Sequence, residues 1–75
     1  MQRFGEKVRD LRKRRKMTLT ELARALGYDA ASSSYLSVIE TGKKKPRAEF
    51  ILKVAQFFQV SADILMDDQL DLPPG

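Results

Sequence analysis

Residues 18–42, with the sequence TLTELARALGYDAASSSYLSVIETG, contain two short helical patterns, separated by a turn and each followed by a glycine. In the first pattern Thr18 precedes Glu21 by three residues. At that spacing the threonine hydroxyl accepts a hydrogen bond from the glutamate N–H, and the glutamate side chain accepts one from the threonine N–H. Apolar residues then recur at helical spacing as far as Gly27, which suits the left-handed conformation that ends a helix. We therefore expect a short helix over residues 19–26.

The second pattern runs from three consecutive serines, residues 32–34, to Glu40. Leu36 and Ile39 lie on one face of this helix, and Gly42 follows it. Two short helices joined by a tight turn form a helix-turn-helix, and a single α-helix fits into the major groove of B-DNA. This stretch therefore predicts a DNA-binding unit whose second helix enters the groove.

The runs LTELARALGY, SYLSVIETGKKKPR and FILKVAQFFQVSADIL resemble the Cro/repressor-type (XRE) helix-turn-helix family of bacterial and phage transcription regulators. The resemblance covers residues 8–66, and its strongest element is the run over residues 36–43. It implies an all-α fold, a compact five-helix bundle like the DNA-binding domain of lambda repressor. We expect this domain to span residues 1–68, and residues 69–75 to form an acidic, proline-containing tail or the start of a linker.

The turn is the largest departure from the family pattern, because the spacing from Gly27 to Glu40 is three residues longer than is common. The extra residues lie within residues 28–31 and allow two arrangements. They either widen the turn, with Ser32 as N-cap of a helix over residues 33–40, or let Asp29 cap an earlier start that adds nearly one helical turn. Serine hydroxyls compete for backbone hydrogen bonds inside a helix, which favours the wider turn.

Three further helices follow from apolar spacing. Residues 2–16 carry Phe4, Val8 and Leu11 at spacings of four and three, which predicts a first helix with one apolar stripe. Most other residues of that helix are basic, so some of them need partners. Similar stripes predict a helix over residues 48–58 and a last helix that begins after Ser61.

The resemblance implies one structural ion pair. In the family an arginine at the position of Arg12 often pairs, partly buried, with a glutamate at the position of Glu40, and both residues are present here. The alternative is that each side chain is merely exposed, in which case the pair contributes ~0–1 kcal/mol.

The resemblance also implies which residues contact bases. They are the first two residues of the recognition helix and one residue a turn later, which here are Ser33, Ser34 and Val38, with Ser37 beside them. None is an arginine, asparagine or glutamine, the side chains that form strong bidentate contacts with bases. We therefore expect modest specificity at each base, with more carried by phosphate contacts and DNA shape. Helix capping by the serines is the alternative.

Contacts to the sugar–phosphate backbone are implied as well. The glutamine that relatives often carry at the start of the first motif helix is Leu19 here, so only backbone N–H groups can bind a phosphate at that point. Each lysine that neutralises a phosphate steepens the salt dependence of binding by about one log–log unit. Tyr35 could instead pack in the core. The residues expected at the DNA backbone are Thr18, Leu19, Tyr35, Lys43, Lys44, Lys45 and Arg47.

Charge is distributed unevenly along the chain, whose net charge is +4. Residues 1–47 carry 13 lysines or arginines and five acidic residues, whereas residues 48–75 carry one lysine and five acidic residues. A strongly basic half indicates a polyanionic partner, although a solvated charged surface gives the same composition. Together with the motif, the charge predicts double-stranded DNA as the partner.

Composition argues against several other classes of protein. The chain has 75 residues and lacks cysteine and histidine, which argues against a disulfide framework or a zinc site. No apolar run approaches the ~20 residues of a membrane span, and no signal-peptide pattern is present. We expect a cytoplasmic protein of bacterial or phage origin. We expect no metal, cofactor or membrane partner and, because no catalytic motif is present, no enzymatic activity.

Residues on the last two helices indicate a possible dimer surface. Phe50, Phe57 and Ile64 exceed what the core stripe needs, although ordinary core filling explains them equally well. A homodimer would hold two recognition helices ~34 Å apart and read a palindrome, which fits a repressor. The alternative function is an antitoxin-type module that binds a partner protein as well as DNA, and Leu70 and Leu72 in the acidic tail would suit such binding.

Overall fold

The computed structural model describes residues 1–74, which form five α-helices and one short 3₁₀-helix. The all-α fold and the number of α-helices predicted from the sequence are confirmed for these residues. Gly75, the last residue of the predicted tail, lies outside them. The helices are α1 (Phe4–Arg14), α2 (Leu19–Ala25), the 3₁₀-helix (Ala30–Ser32), α3 (Ser33–Glu40), α4 (Ala48–Phe58) and α5 (Ala62–Met66).

One hydrophobic core takes residues from all five α-helices. Phe50 lies within it, 1% exposed, and its ring packs against the rings of Phe4, Tyr28 and Tyr35 at centroid distances of 6.1, 6.3 and 5.4 Å. The inclusion of Phe50 in a dimer surface was therefore wrong, because the aromatic ring fills the space between α1, α3 and α4. The other buried apolar residues are Val8, Leu11, Leu22, Ala23, Leu26, Leu36, Ile39, Ile51, Val54, Ala55, Phe58 and Leu65.

The ends of the helices follow local chemistry in some places and depart from it in others. At α2 the predicted capping box is confirmed: the Glu21 N–H donates to Thr18 Oγ1 at 3.1 Å, and the Thr18 N–H donates to Glu21 Oε1 at 2.8 Å. The hydrogen bond from the Thr18 N–H, with a smaller contribution from the Thr18 side chain, lowers the pKa of Glu21 below its usual value. By contrast, the N-cap residue of α4, Arg47, makes no side-chain cap bond, and its C-cap residue, Gln59, has φ 56°, a left-handed conformation that glycine would adopt at less cost.

The turn before α3 combines features of both predicted arrangements. The recognition helix begins at Ser33, as the wider turn requires, but Ser32 makes no capping hydrogen bond because its backbone is already helical, with φ −71° and ψ −5°. The cap is Asp29, whose Oδ1 accepts hydrogen bonds from the N–H and the hydroxyl of Ser32, each at 3.2 Å. Ser32 therefore occupies the N-cap position of α3, as the wider turn predicted, but without a side-chain cap bond, and Asp29 caps the 3₁₀ turn instead of a longer α3.

Helix α1 approaches the end of α3 unusually closely at Gly5. A Cβ atom at this position would overlap the backbone carbonyl oxygen of Ile39, which cannot rotate away as a side chain can. Any other residue would therefore push α1 away from the recognition helix. The glycine is needed for this contact between two helices.

A buried lysine fastens α1 to the C-terminal end of the chain. Lys7 is 1% exposed, and its Nζ donates to the carbonyl oxygens of Ile64, Asp67 and Leu70 at 2.6, 2.9 and 2.7 Å. These carbonyls lie at the end of α5 and in the turn after it, where a helix leaves acceptors without intrahelical donors. The charge of Lys7 is therefore used inside the protein and is lost to the basic surface expected from the sequence.

The C-terminal segment, residues 67–74, lies along α1. Asp68 accepts hydrogen bonds from the backbone N–H groups of Arg3 and Gln2, both at 2.8 Å, and these bonds lower its pKa to about 2. The Arg3 guanidinium donates to the Asp68 carbonyl at 2.8 Å, and Arg14 Nη1 donates to the Pro73 carbonyl at 2.7 Å. Up to residue 74, the predicted tail is thus attached to the helical domain.

Replacing Lys7 with methionine removes three hydrogen bonds and keeps much of the side-chain volume. Because three backbone carbonyls lose their donor, we expect the free energy of unfolding to fall by about 2–4 kcal/mol. Urea unfolding followed by circular dichroism measures the change. Lys13→Met, at an exposed position of the same helix, is the control and should change stability by less than about 0.5 kcal/mol. Equal effects of the two variants would contradict the role given to Lys7.

The Asp68→Asn variant should melt at a lower temperature than the wild type, with a pH-dependent difference. Because folding lowers the pKa of Asp68 from 3.8 to about 2, its carboxylate stabilises the fold above pH 3.8 and loses this effect as the pH falls towards 2. The difference in melting temperature should therefore be largest above about pH 4 and vanish near pH 2. Asp71→Asn, which removes an equal charge from an 80% exposed side chain, is the control. A pH-independent difference would argue against the assigned bonds.

Candidate nucleic-acid interface

Arg12 and Glu40 form a largely buried ion pair that holds the end of the recognition helix. Arg12 Nε and Nη2 donate to the two carboxylate oxygens of Glu40 at 2.8 and 3.0 Å, and the side chains are 12% and 5% exposed. Arg12 Nη1 also donates to the carbonyl of Met17 at 2.7 Å, one residue before the cap of α2. The guanidinium group of Arg12 thus joins α1 to α3 and to Met17, which precedes the cap of α2.

The side of α3 that faces away from the core carries the four residues predicted to contact bases. Ser34 is exposed, and Ser33, Ser37 and Val38 are partly exposed. Within residues 1–74 the three serine hydroxyls form no hydrogen bond, so capping does not occupy them. Residues 34, 37 and 38 share one side of the helix, because residues three and four apart are neighbours on a helical surface. The surface that α3 presents is small and polar, with one aliphatic side chain.

A basic loop, residues 43–47, follows the recognition helix and is attached to it at both ends. At the start, the Lys43 N–H donates to the Val38 carbonyl at 3.1 Å. At the end, the Arg47 N–H donates to the Tyr35 hydroxyl at 3.2 Å. Between these two points all three lysine side chains are exposed. The loop therefore presents its charges from a backbone that α3 holds in place.

Tyr35 lies between the core and the surface. Its ring is half-buried and meets Phe50 edge-on, with an interplanar angle of 90°. Its hydroxyl reaches the Arg47 N–H, as described above. The sequence left two positions open for Tyr35, in the core or at the surface. The ring takes the first, and the hydroxyl takes the second.

At the start of α2, the donors predicted to bind phosphate are partly in use. The Thr18 N–H donates to the Glu21 carboxylate in the capping box, and the Thr18 hydroxyl accepts from the Glu21 N–H. The N–H groups of Leu19 and Thr20, in the first turn of α2, have no acceptor within residues 1–74. These two N–H groups therefore remain available there.

Several basic side chains of α1 and of the residues that flank it are paired or buried within the domain. Arg3 pairs with Glu6 and Asp71, Arg14 pairs with Asp10, and Lys7 is buried. Arg15 stacks on the rings of Phe57 and Phe58 at about 5 Å. In the described part of the chain, the exposed basic side chains without an ion pair or such a stacking contact are Arg9, Lys13, Lys16, Arg24, Lys43, Lys44, Lys45 and Arg47. Half of these belong to the basic loop, so the available positive charge concentrates beside the recognition helix.

Of the three residues predicted for a dimer surface, only Phe57 and Ile64 are still candidates. Phe57 and Ile64 are half-buried, and the Arg15 guanidinium covers part of the Phe57 ring. The sequence reasoning missed Leu52 and Met66, which are 56% and 41% exposed on α4 and α5. Leu52 and Met66 lie outside the apolar stripes of these helices, and this pattern could have identified them from the sequence.

Between residues 1 and 74, no group of three or more acidic side chains is placed to hold a metal ion. Over the same range, no helix has both the length and the apolar character that crossing a membrane requires. The arrangement of α2, a turn and the outward-facing α3 defines a helix-turn-helix domain.

The helix-turn-helix family model HTH_3 matches residues 8–65. Two curated relatives from Bacillus subtilis (strain 168) align over 67 residues, or 88% of this chain. One is named an uncharacterized HTH-type transcriptional regulator, RghRB, and is 39% identical with 46% of its length covered. The other is named the HTH-type transcriptional repressor RghR and is 37% identical with 47% covered. No solved structure gives a significant match.

The chain belongs to the XRE-type helix-turn-helix family, which confirms the resemblance found in the sequence. It spans about half the length of the curated relatives it matches.

We expect Arg12→Ala to lower the free energy of unfolding by about 3–5 kcal/mol, because it leaves the Glu40 carboxylate buried without a counter-charge. Urea unfolding measures this. Glu49→Ala is the control, since it breaks the Glu49–Lys53 pair, in which the glutamate is 71% exposed, and should cost less than about 1 kcal/mol. The Arg12→Ala/Glu40→Ala double variant should be less destabilised than the sum of the two single variants. Additive effects would contradict a coupled pair.

Proposed function

We propose that this domain binds double-stranded DNA and regulates transcription as a repressor, with α3 in the major groove. The observation that carries the proposal is the outward face of α3, with unoccupied hydroxyls, directly beside a basic loop fastened to the same helix. Membership of the family and the names of the two relatives support it. A DNA partner in bacteria implies a cytoplasmic location.

The proposed base contacts use Ser33, Ser34, Ser37 and Val38. A serine hydroxyl both donates and accepts, so it contacts several bases and distinguishes them weakly, whereas Val38 packs best against the methyl group of thymine. Specificity then depends on the summed contribution of these contacts and on the deformability of the DNA.

The proposed phosphate contacts are electrostatic. Lys43, Lys44, Lys45 and Arg47 neutralise phosphates on the strand beside the recognition helix, which releases counterions and makes binding strongly dependent on salt. The Thr18 hydroxyl and the Leu19 N–H add uncharged contacts at the start of α2. These contacts fix the register of α3 in the groove without reading the sequence.

We propose a homodimer as the binding unit, because two copies of α3 one DNA turn apart contact a palindrome and combine their binding energies. Phe57 and Ile64 remain candidate contacts, together with the more exposed Leu52 and Met66. Sedimentation of the free protein and of its DNA complex tests this assembly.

The antitoxin-type alternative has less support. It assigned a partner-binding role to the acidic tail with Leu70 and Leu72. In the folded chain, Lys7 binds the Leu70 carbonyl and Leu72 packs against the core, so the backbone of the tail and one of the two leucines are already engaged with their own domain, whereas the Leu70 side chain is 41% exposed. A partner protein that co-purifies in equal amount would favour the alternative.

Ser34→Ala and Val38→Ala should reduce the preference for a selected site over random duplex, with about 1–3 kcal/mol of discrimination at stake for a well-placed base contact. Lys44→Ala should weaken binding to all sequences alike and lower the log–log salt slope by about 0.9. Selection of binding sites from random duplexes, followed by titrations at several salt concentrations, measures both effects.

Asp63→Ala, at an exposed site on α5, is the control and should leave the sequence preference unchanged. If the three interface variants behave identically, the separation into base and phosphate contacts is wrong. Binding that is absent at low ionic strength, or insensitive to salt, would overturn the proposed function itself.

A further inference from the structure

We propose that Tyr35 is a positioning residue for DNA binding: its hydroxyl holds the backbone of Arg47, and with it the basic loop, against the recognition helix. This inference rests on the proposed function. It replaces the direct phosphate contact expected for Tyr35 from the sequence with a role exerted through the loop.

The geometry at the end of the loop carries the inference. The Arg47 N–H donates to Tyr35 Oη at 3.2 Å, a bond between residues 12 positions apart. Arg47 is the N-cap of α4 and lies in an extended conformation with ψ 152°, without a side-chain cap of its own. The Tyr35 hydroxyl is therefore the group that ties the start of α4 to α3.

The other end of the loop is held by the backbone alone. The Gly42 N–H donates to the Ile39 carbonyl and the Lys43 N–H donates to the Val38 carbonyl, both at 3.1 Å. Side-chain substitutions leave these bonds in place, and within residues 1–74 the Tyr35 hydroxyl makes the one side-chain hydrogen bond to the loop, which a conservative substitution can remove. A loop fixed at both ends loses less conformational freedom when its lysines bind phosphates.

The Tyr35 ring and the hydroxyl have separable tasks. The ring packs edge-on against Phe50 with a centroid distance of 5.4 Å, and phenylalanine preserves this contact. An open cavity of about 190 Å³, lined in part by Tyr28, Glu49 and Arg47, adjoins the hydroxyl. Water can therefore reach the Arg47 N–H when the hydroxyl is removed, which limits the loss of stability. Tyr35→Phe consequently removes the hydrogen bond that holds the loop and keeps the ring contact in the core.

The salt dependence of binding distinguishes positioning from a direct contact. A hydroxyl is neutral, so losing a direct hydroxyl–phosphate bond weakens binding and leaves the number of released counterions unchanged. Losing the placement of the basic loop removes charged contacts and lowers the slope of log K against log salt. A purely structural role lowers the melting temperature and leaves the slope unchanged.

The test compares the wild type with Tyr35→Phe on a mixed-sequence duplex, since the loop is proposed to act on every sequence. We expect binding about fivefold weaker, equivalent to one hydrogen bond, a salt slope lower by about one, and a melting temperature within about 2 °C of the wild type. In an Arg47→Ala background the same substitution should have a smaller effect, because one of the charged contacts that the anchor positions is already lost. Thr41→Val, which removes a hydroxyl that donates to Ser37 and Val38 within α3, is the matched control.

Amide hydrogen exchange of the free protein tests the anchor without DNA. Exchange at the Arg47 N–H, which donates to the Tyr35 hydroxyl, should be faster in Tyr35→Phe than in the wild type. Unchanged exchange overturns the anchor, and faster exchange with unchanged affinity overturns its role in binding. Weaker binding with an unchanged salt slope also overturns positioning, in favour of a direct contact. Failure of the wild type to bind any duplex would overturn the proposed function, whereas the exchange measurement would still report the anchor.

Discussion

The position of the recognition helix depends on the buried ion pair between Arg12 and Glu40. Removing these two charges from water costs several kcal/mol for each ion, and only good geometry offsets that cost. Here the guanidinium binds the carboxylate through two nitrogens and the Met17 carbonyl through a third. Glu40 also places a negative charge at the negative end of the α3 dipole, which the guanidinium compensates. Gly5 lets α1 approach close enough to the end of α3 for both helices to be held together at a second point.

The opposite side of α1 is held by the C-terminal segment. Lys7 donates to carbonyls at the end of α5, and Asp68 accepts from N–H groups before α1. The N-terminal and C-terminal parts of the chain therefore pair each other's backbone groups that lack a partner within a helix. Two ion pairs also join these two parts, one between the N-terminal ammonium and Asp68 and one between Arg3 and Asp71. Half of the exposed basic side chains that have no such partner lie in the loop after α3, where Tyr35 and the backbone of α3 keep them beside the proposed base contacts.

Much of the helical domain could be predicted from the sequence, whereas several residues around the candidate site could not. The box at Thr18 and Glu21 and the apolar stripes involve residues three or four apart, so their partners are visible in the sequence. The Arg12–Glu40 pair was accessible only through the family resemblance. Phe50 shows what the apolar spacing along one helix cannot predict. An apolar residue at the edge of an apolar stripe is equally compatible with core and surface, and the aromatic residues that bury Phe50 come from other helices.

By itself, the sequence determined the family, the all-α class and the helix that faces outward, because caps and periodicity are properties of short segments. Tertiary structure decided which charged and polar groups are used internally. Lys7 meets a carbonyl 63 residues away and Tyr35 meets an N–H 12 residues away, and no local pattern links such positions. The conformation of the turn was also decided by the folded chain, since each predicted arrangement occurs in part: Ser32 is the N-cap of α3, and Asp29 caps the 3₁₀ turn before it.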